Sequence, residues 1–265
     1  MKIHKHRNEP ALAPRANRRT FLTAAASLGA GLAFGAPAAY AVSNATGTGR
    51  KVVMVVQANA QTGEKKSGPD QSADQKIAAH LIARGYGVRM LDQAQPPEAA
   101  SDADLVLISS TVSSKLVASG WRYLARPLLT WENDLLDDFA MTGKRHDVDF
   151  GEAQKERYLW LVNAPHPMAA GLPAGVTNVY GRQAAMSWGK PGLGAAIIAT
   201  LYGQPEKAAI FAYEKGATMD YESLAPARRV MFFLNNDTFG NLSAAGASLF
   251  DAAVDWAAAP ASNPA

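Results

Sequence analysis

Four stretches of polar residues stand where apolar runs end, and they hold the side chains best suited to acid–base or ligand chemistry. They are Ser109-Ser110-Thr111-Val112-Ser113-Ser114, Glu132-Asn133-Asp134, Glu214-Lys215 and Asn235-Asn236-Asp237. Glu132 follows Pro127-Leu128-Leu129-Thr130-Trp131. A turn there would point its carboxyl into a cleft, where partial burial raises a carboxyl pKa. The same residue could instead accept backbone N–H groups at a helix start. Glu214 is its candidate partner, since glycoside hydrolysis needs two carboxylates about 5 to 9 Å apart. His166, held between Pro165 and Pro167, reads either as a base or as a hydrogen-bonded loop anchor. Trp131 and Trp188 could stack on a sugar ring or fill the core. The catalytic candidates, if the protein is an enzyme, are therefore Glu132, Glu214 and His166. The expected ligand-binding set is Ser109, Ser110, Thr111, Trp131, Glu132, Trp188, Glu214 and Asn235.

Other polar clusters point to less. Asp134 and Asp138 share a face at i, i+4, which reads as favourable charge near a helix N-terminus. Residues 144–149 offer His146, Asp147 and Asp149 but match neither a zinc spacing nor a calcium loop, so no metal is expected. The glycine-rich stretch 187–194 lacks a Gly-Lys-Ser/Thr ending and contains Pro191, which argues against a phosphate loop. Arg228-Arg229 reads as a surface pair.

The elements that must position these residues alternate along the chain. Residues 51–58 form a Val-rich run of the kind that builds a parallel strand buried on both faces. After a polar loop, 72–84 has helical spacing at Ile77, Leu81 and Ile82 and stops at Gly85. Strands are expected at 88–91, 104–109 and 127–131, with a helix at 115–124. Further strands are expected at 158–162, 195–201, 208–213 and 229–234, and a final helix at 243–257. The pattern predicts an α/β fold: a mainly parallel, flavodoxin-like sheet with helices on both faces. In such sheets ligands sit beyond the carboxyl ends of the strands.

The run Asp104-Leu105-Val106-Leu107-Ile108, its polar turn and helix, then Pro127 to Glu132 with Leu135, Leu136 and Gly143 downstream, resembles the class I glutamine amidotransferase-like fold. The second half carries His166-Pro167-Met168-Ala169-Ala170-Gly171-Leu172, the run Arg229-Val230-Met231-Phe232-Phe233-Leu234, and Asp255-Trp256-Ala257. It is similar to the trehalose-utilisation-protein-like branch. Ile108 to Ser114, Thr130-Trp131-Glu132, Met186-Ser187-Trp188-Gly189 and Phe211-Ala212-Tyr213-Glu214 resemble a bacterial exported domain often attached to carbohydrate-active proteins. The likeness spans nearly all of 51–257. It implies that Glu132 occupies the elbow where the family carries its cysteine nucleophile. The chain contains no cysteine, so the resemblance implies no amidotransferase activity.

Composition narrows the rest. Arg18-Arg19-Thr20-Phe21-Leu22, an uncharged apolar run and Ala39-Tyr40-Ala41 read as a twin-arginine export signal cleaved after Ala41. The expected division is a signal at 1–41, a flexible leader at 42–50, one domain at 51–258 and a disordered tail at 259–265. The formal charge of +3 falls to about −2 once the signal and its six basic residues are removed. No nucleic-acid partner is then expected. The absence of cysteine excludes thiolate metal ligation, disulfides and a lipid anchor. Three histidines remain after residue 41 and no nucleotide-binding glycine pattern occurs, so no cofactor is expected. The expected protein is periplasmic or extracellular, without a stable membrane anchor, and has the twin-arginine translocon as its partner during export. It binds a small polar or saccharide-like ligand in a strand-end cleft. A carboxylate-dependent hydrolase acting on saccharides or envelope polymers, and a structural partner in an envelope complex, are the alternatives.

Overall fold

Alternate residues of the first strands feed two separate cores, and that alternation sets the architecture. The structure, a computed structural model, describes residues 46–57 and 72–260. The expected export signal, the start of the leader and the end of the tail lie outside the described residues. In β1 (Lys51–Val56), Val52, Met54 and Val56 join one core while Val53 and Val55 join the other. β3 (Leu105–Ile108) does the same, with Leu105 and Leu107 against Val106 and Ile108. A strand with side chains of period two can be apolar throughout only if both faces are covered.

The first core is covered by α1 (Ala73–Ala83), through Ile77 and Leu81, and by α3 (Ala244–Ala258), through Leu249, Phe250, Ala253 and Val254. The second is covered by α2 (Ser114–Val117) and the following 3-10 turns, through Val117, Trp121 and Leu135. α1 starts at a capping box: Ser72 Oγ accepts from the Gln75 N–H at 3.3 Å and the Gln75 side chain accepts from the Ser72 N–H at 3.1 Å. Its last turn is clamped to α3 by Arg84, which donates to Asp251 at 2.5 Å and to Asp255 at 2.7 Å. Gly246 lets α3 approach Val179: a Cβ there would sit 2.3 Å from the Val179 carbonyl oxygen. Gly246→Ala is expected to cost about 2 kcal/mol of stability, read from the urea midpoint; an unchanged midpoint would show that α3 can shift freely.

β2 (Gly87–Asp92), β1, β3, β4 (Leu128–Thr130) and β11 (Arg229–Phe232) are parallel, in the order β2-β1-β3-β4-β11. This is the flavodoxin-like order expected from the sequence. Beyond β11 the sheet turns antiparallel, through β10 (Gln204–Tyr213), β9 (Ala196–Leu201), β6 (Tyr158–Leu161) and β7 (Gly175–Asn178). β5 (Phe150–Glu156) pairs with β8 (Ala184–Gly189), which joins β10. The crossover pattern therefore holds for the first half only. β5, β7 and β8 were not expected, because β5 is half charged, β7 is four residues long and β8 is rich in Ala and Gly.

Two expectations need correcting. The described part of the leader forms a turn tied to the domain: the Gly47 N–H donates to the Arg84 carbonyl at 3.1 Å and the Arg50 carbonyl accepts from the Gly87 N–H at 2.9 Å. Arg228 and Arg229 are not a surface pair. Arg229 is fully buried and Arg228 nearly so, because β11 lies in the middle of the sheet.

Candidate functional site

The sharp turn after β4 is built by Thr130. Its hydroxyl donates to the Ile108 carbonyl at 3.1 Å and accepts from the Glu132 N–H at 3.0 Å. The chain then enters a 3-10 turn at Asn133–Leu135, and the Glu132 carboxylate caps it by accepting from the Asp134 N–H at 3.0 Å. Glu132 is 8% exposed. Burial pushes its carboxyl up to about 8, helped by the charges of Asp134 and Glu152 and opposed by the Asp134 N–H. The structural reading of Glu132 is therefore the one seen, a turn cap; its carboxyl holds a proton at neutral pH, and it is not among the residues that line the neighbouring cleft.

Glu152, on β5, was not singled out in the sequence. Its Oε1 accepts from Asn235 Nδ2 at 2.6 Å and lies 3.5 Å from Asn133 Nδ2, while its Oε2 accepts from Gln154 at 3.2 Å. Asn235, just beyond β11, therefore shares this end of the sheet with Glu132, as expected. Asn133, Asp134, His146, Asp147 and Glu152 line an open cleft of about 270 Å³. His146 spans it, 3.6 Å from Asp134 and 3.1 Å from Asp147. The signal for Glu152 was the alternation of Gly151 and Ala153 against Glu152 and Gln154, visible only once 150–156 is read as a strand. Among the described residues, no group of three or more His, Asp or Glu is placed to hold a metal ion.

The other predicted residues lie elsewhere. Ser109 is fully buried, and its hydroxyl donates to Asp74 at 2.6 Å; Thr111 donates to the same carboxylate at 2.8 Å. Both hydroxyls are thereby committed to Asp74. Burial raises the Asp74 pKa, the two hydroxyls oppose it and the Asp237 charge adds to it. Ser110 Oγ is buried without a hydrogen-bond partner. Trp131 and Trp188 are 1% and 2% exposed and serve as packing, Trp131 edge-on to Phe250. Neither offers a face to a sugar.

Glu214 is the largest displacement. β10 runs antiparallel to β11, with Tyr213 opposite Arg229, and Arg229 lies beside Leu128. Glu214 therefore sits at the amino end of the parallel strands, on the order of 15 Å from Glu132 along the strand direction. A Glu132–Glu214 acid–base couple cannot form in this fold. Glu214 instead pairs with Arg228 at 2.9 Å. His166 is at that end too, its ring 5.2 Å from Trp256 and its Nδ1 accepting from the Met168 N–H at 3.2 Å. Burial holds its pKa down, with Arg228 acting the same way and Glu214 against it. The residue anchors a loop.

No family model and no curated protein matches the chain. Among solved structures it is similar to a GMP-synthase-subunit-A-like protein from Thermoplasma acidophilum, at 9% identity and a TM-score of 0.46, over 79% of this chain and 94% of that one. It is similar also to a ThuA-like protein from Bacteroides uniformis, at 12% identity and 0.47, over 84% and 95%. A third is the mmIFT52 N-terminal domain, at 9% identity and 0.48, over 81% and 100%. Two of these names agree with the resemblance drawn from the sequence, but likenesses of this size bear on no residue's role.

Proposed function

We propose that the protein is an exported binding protein whose cleft beyond the carboxyl ends of β4 and β11 takes one small polar, saccharide-like ligand. The observation that carries this reading is the convergence of Asn133, Asp134, His146, Asp147 and Glu152 on a cleft of about 270 Å³. That volume lies just below the range of drug-sized sites and suits a single small molecule. Three carboxylates and a carboxamide offer directional partners to hydroxyl groups, and Asn235 and Gln154 hold Glu152 in place. The test is isothermal titration of the purified protein against a panel of monosaccharides and short oligosaccharides. Binding is expected, and Glu152→Gln should weaken it about tenfold or more. No heat across the whole panel would overturn the reading.

One observation favours a second reading, a hydrolase. Glu132 is a buried carboxyl that keeps its proton to about pH 8, which is what a general acid needs; Asp134 and then Glu152, not Glu214, are the carboxylates whose charges act on it. Turnover of aryl glycosides should then fall as pH rises through 8 and vanish in Glu132→Gln. Silence of the wild type toward such substrates would remove this reading and leave the first intact.

A further inference from the structure

A second cavity, of about 410 Å³, lies at the amino ends of the parallel strands. Asp104, Arg126 and Arg228 line it, and each stands just before a strand: β3 at Leu105, β4 at Leu128 and β11 at Arg229. Arg50, Glu214 and Lys215 complete its charged lining, which therefore carries two more positive charges than negative ones. Both carboxylates are already engaged. Asp104 Oδ2 accepts from the Lys51 N–H at 2.8 Å, and Glu214 Oε2 accepts from Arg228 Nε at 2.9 Å.

Part of this charge has a structural explanation, since Arg50 and Arg228 donate to carbonyls at the end of α3, where cations are favourable. Arg126 and Lys215 have none: they come from other segments and, among the described residues, their side chains make no ion pair or hydrogen bond. Nor is Arg228 used up. It is 8% exposed, and its guanidinium is held 4.4 Å from the Trp256 ring. A guanidinium has five N–H hydrogens. Nε takes Glu214, and Nη1 takes the carbonyls of Trp256 at 2.6 Å and Ala259 at 3.1 Å, so Nη2 has no acceptor among the described residues. Nη2 is not sealed from solvent, and the little surface Arg228 keeps opens on the cavity it lines. Its partner Glu214 is 59% exposed, so water weakens that pair. Donors left over on a nearly buried cation, beside two unpaired cations, call for an anion, and the apolar walls at Pro127 and Ala227 strengthen the field inside so concave a site.

We infer that this cavity binds the phosphoryl group of a small phosphorylated molecule, held by Arg228 Nη2, Arg126 and Lys215. A phosphoryl group carries close to two negative charges at neutral pH and three acceptor oxygens, which matches the excess of positive charge; a carboxylate brings only one. The volume suits a small ligand and leaves room for its carbon body against the apolar walls. The site lies at the opposite end of the parallel strands from the Glu152 cleft and does not depend on it.

Titration calorimetry at low salt with inorganic phosphate, glucose 6-phosphate and glucose tests the inference. Phosphate should bind with a Kd of about 1 mM or tighter, and glucose 6-phosphate more tightly still. The double variant Arg126→Gln, Lys215→Gln should weaken both at least about tenfold and leave any affinity for glucose unchanged. Added salt should weaken phosphate binding to the wild type. Both replaced side chains are exposed, so the melting temperature should not move. Binding of glucose 6-phosphate that survives the double variant unchanged would overturn the inference, as would the absence of heat from phosphate and glucose 6-phosphate alike.

Discussion

Replacing Glu132 with Gln is expected to stabilise the protein by roughly 3 kcal/mol at pH 7, the opposite of what removing a charged residue from a proposed site usually does. The Glu132 carboxyl titrates at about 8 in the folded protein, against 4.5 as its ordinary value. Between those two values the unfolded chain has lost the proton and the folded protein keeps it. The folded state then binds more protons, so its stability falls as pH rises, by about 1.4 kcal/mol per unit for this one group. Below 4.5 both states are protonated and the penalty is absent; above 8 it is constant. Gln is neutral at every pH and keeps the oxygen that accepts from the Asp134 N–H. The gain should therefore be near zero at pH 4, grow toward pH 8 and level off beyond. Urea denaturation at pH 4, 7 and 9 reads it directly. A variant less stable than wild type at pH 9 would show that the carboxylate form is the one the fold uses.

Arg229→Ala should do the reverse and cost roughly 4 kcal/mol, lowering the melting temperature by roughly 10 °C. The guanidinium is fully buried at the start of β11 and, among the described residues, pairs with no carboxylate. It donates instead to the carbonyls of Arg122, Leu124, Arg126 and Arg228 at 2.6 to 3.1 Å. Burial lowers its pKa to about 10, still high enough to keep the charge at neutral pH. Removing it leaves several carbonyls out of reach of water and opens a cavity, and each effect is separately destabilising. Arg229→Lys keeps the charge but not the fork that reaches both the 122–126 loop and the 228 carbonyl, so it should recover less than half of the loss. A loss within 1 kcal/mol for Arg229→Ala would mean that water replaces the guanidinium.

The parallel half was legible because each of its signals is local. The Val run of β1, the capping box of α1 and the turn after β4 depend on residues within a few positions of one another. The direction of β10 is not such a signal. Its apolar core, 208–213, reads equally well as the end of a crossover or as one arm of a hairpin. The deciding Tyr202-Gly203 turn, with Gly203 at φ 74°, is hidden because Glu206 and Lys207 interrupt the apolar pattern. That single ambiguity sent Glu214 to the wrong end of the sheet. Glu152 escaped because a strand half exposed and half charged resembles a loop. Trp131, Trp188 and Arg229 show the same limit in another form: burial in the centre of a sheet depends on which strands become neighbours.

β4 and β11 lie side by side although about a hundred residues separate them in the chain. Drawing the ends of so long an excursion together costs about 4 kcal/mol of chain entropy before any pairing repays it. The excursion contains β5 to β10, so the two halves are joined through β11 and neither half is expected to melt alone. Folding of a topology with so many distant pairings is expected to be slow. A lesion anywhere in the loop that carries Glu152 and His146 should be felt at α3 and at β1 as the same single transition.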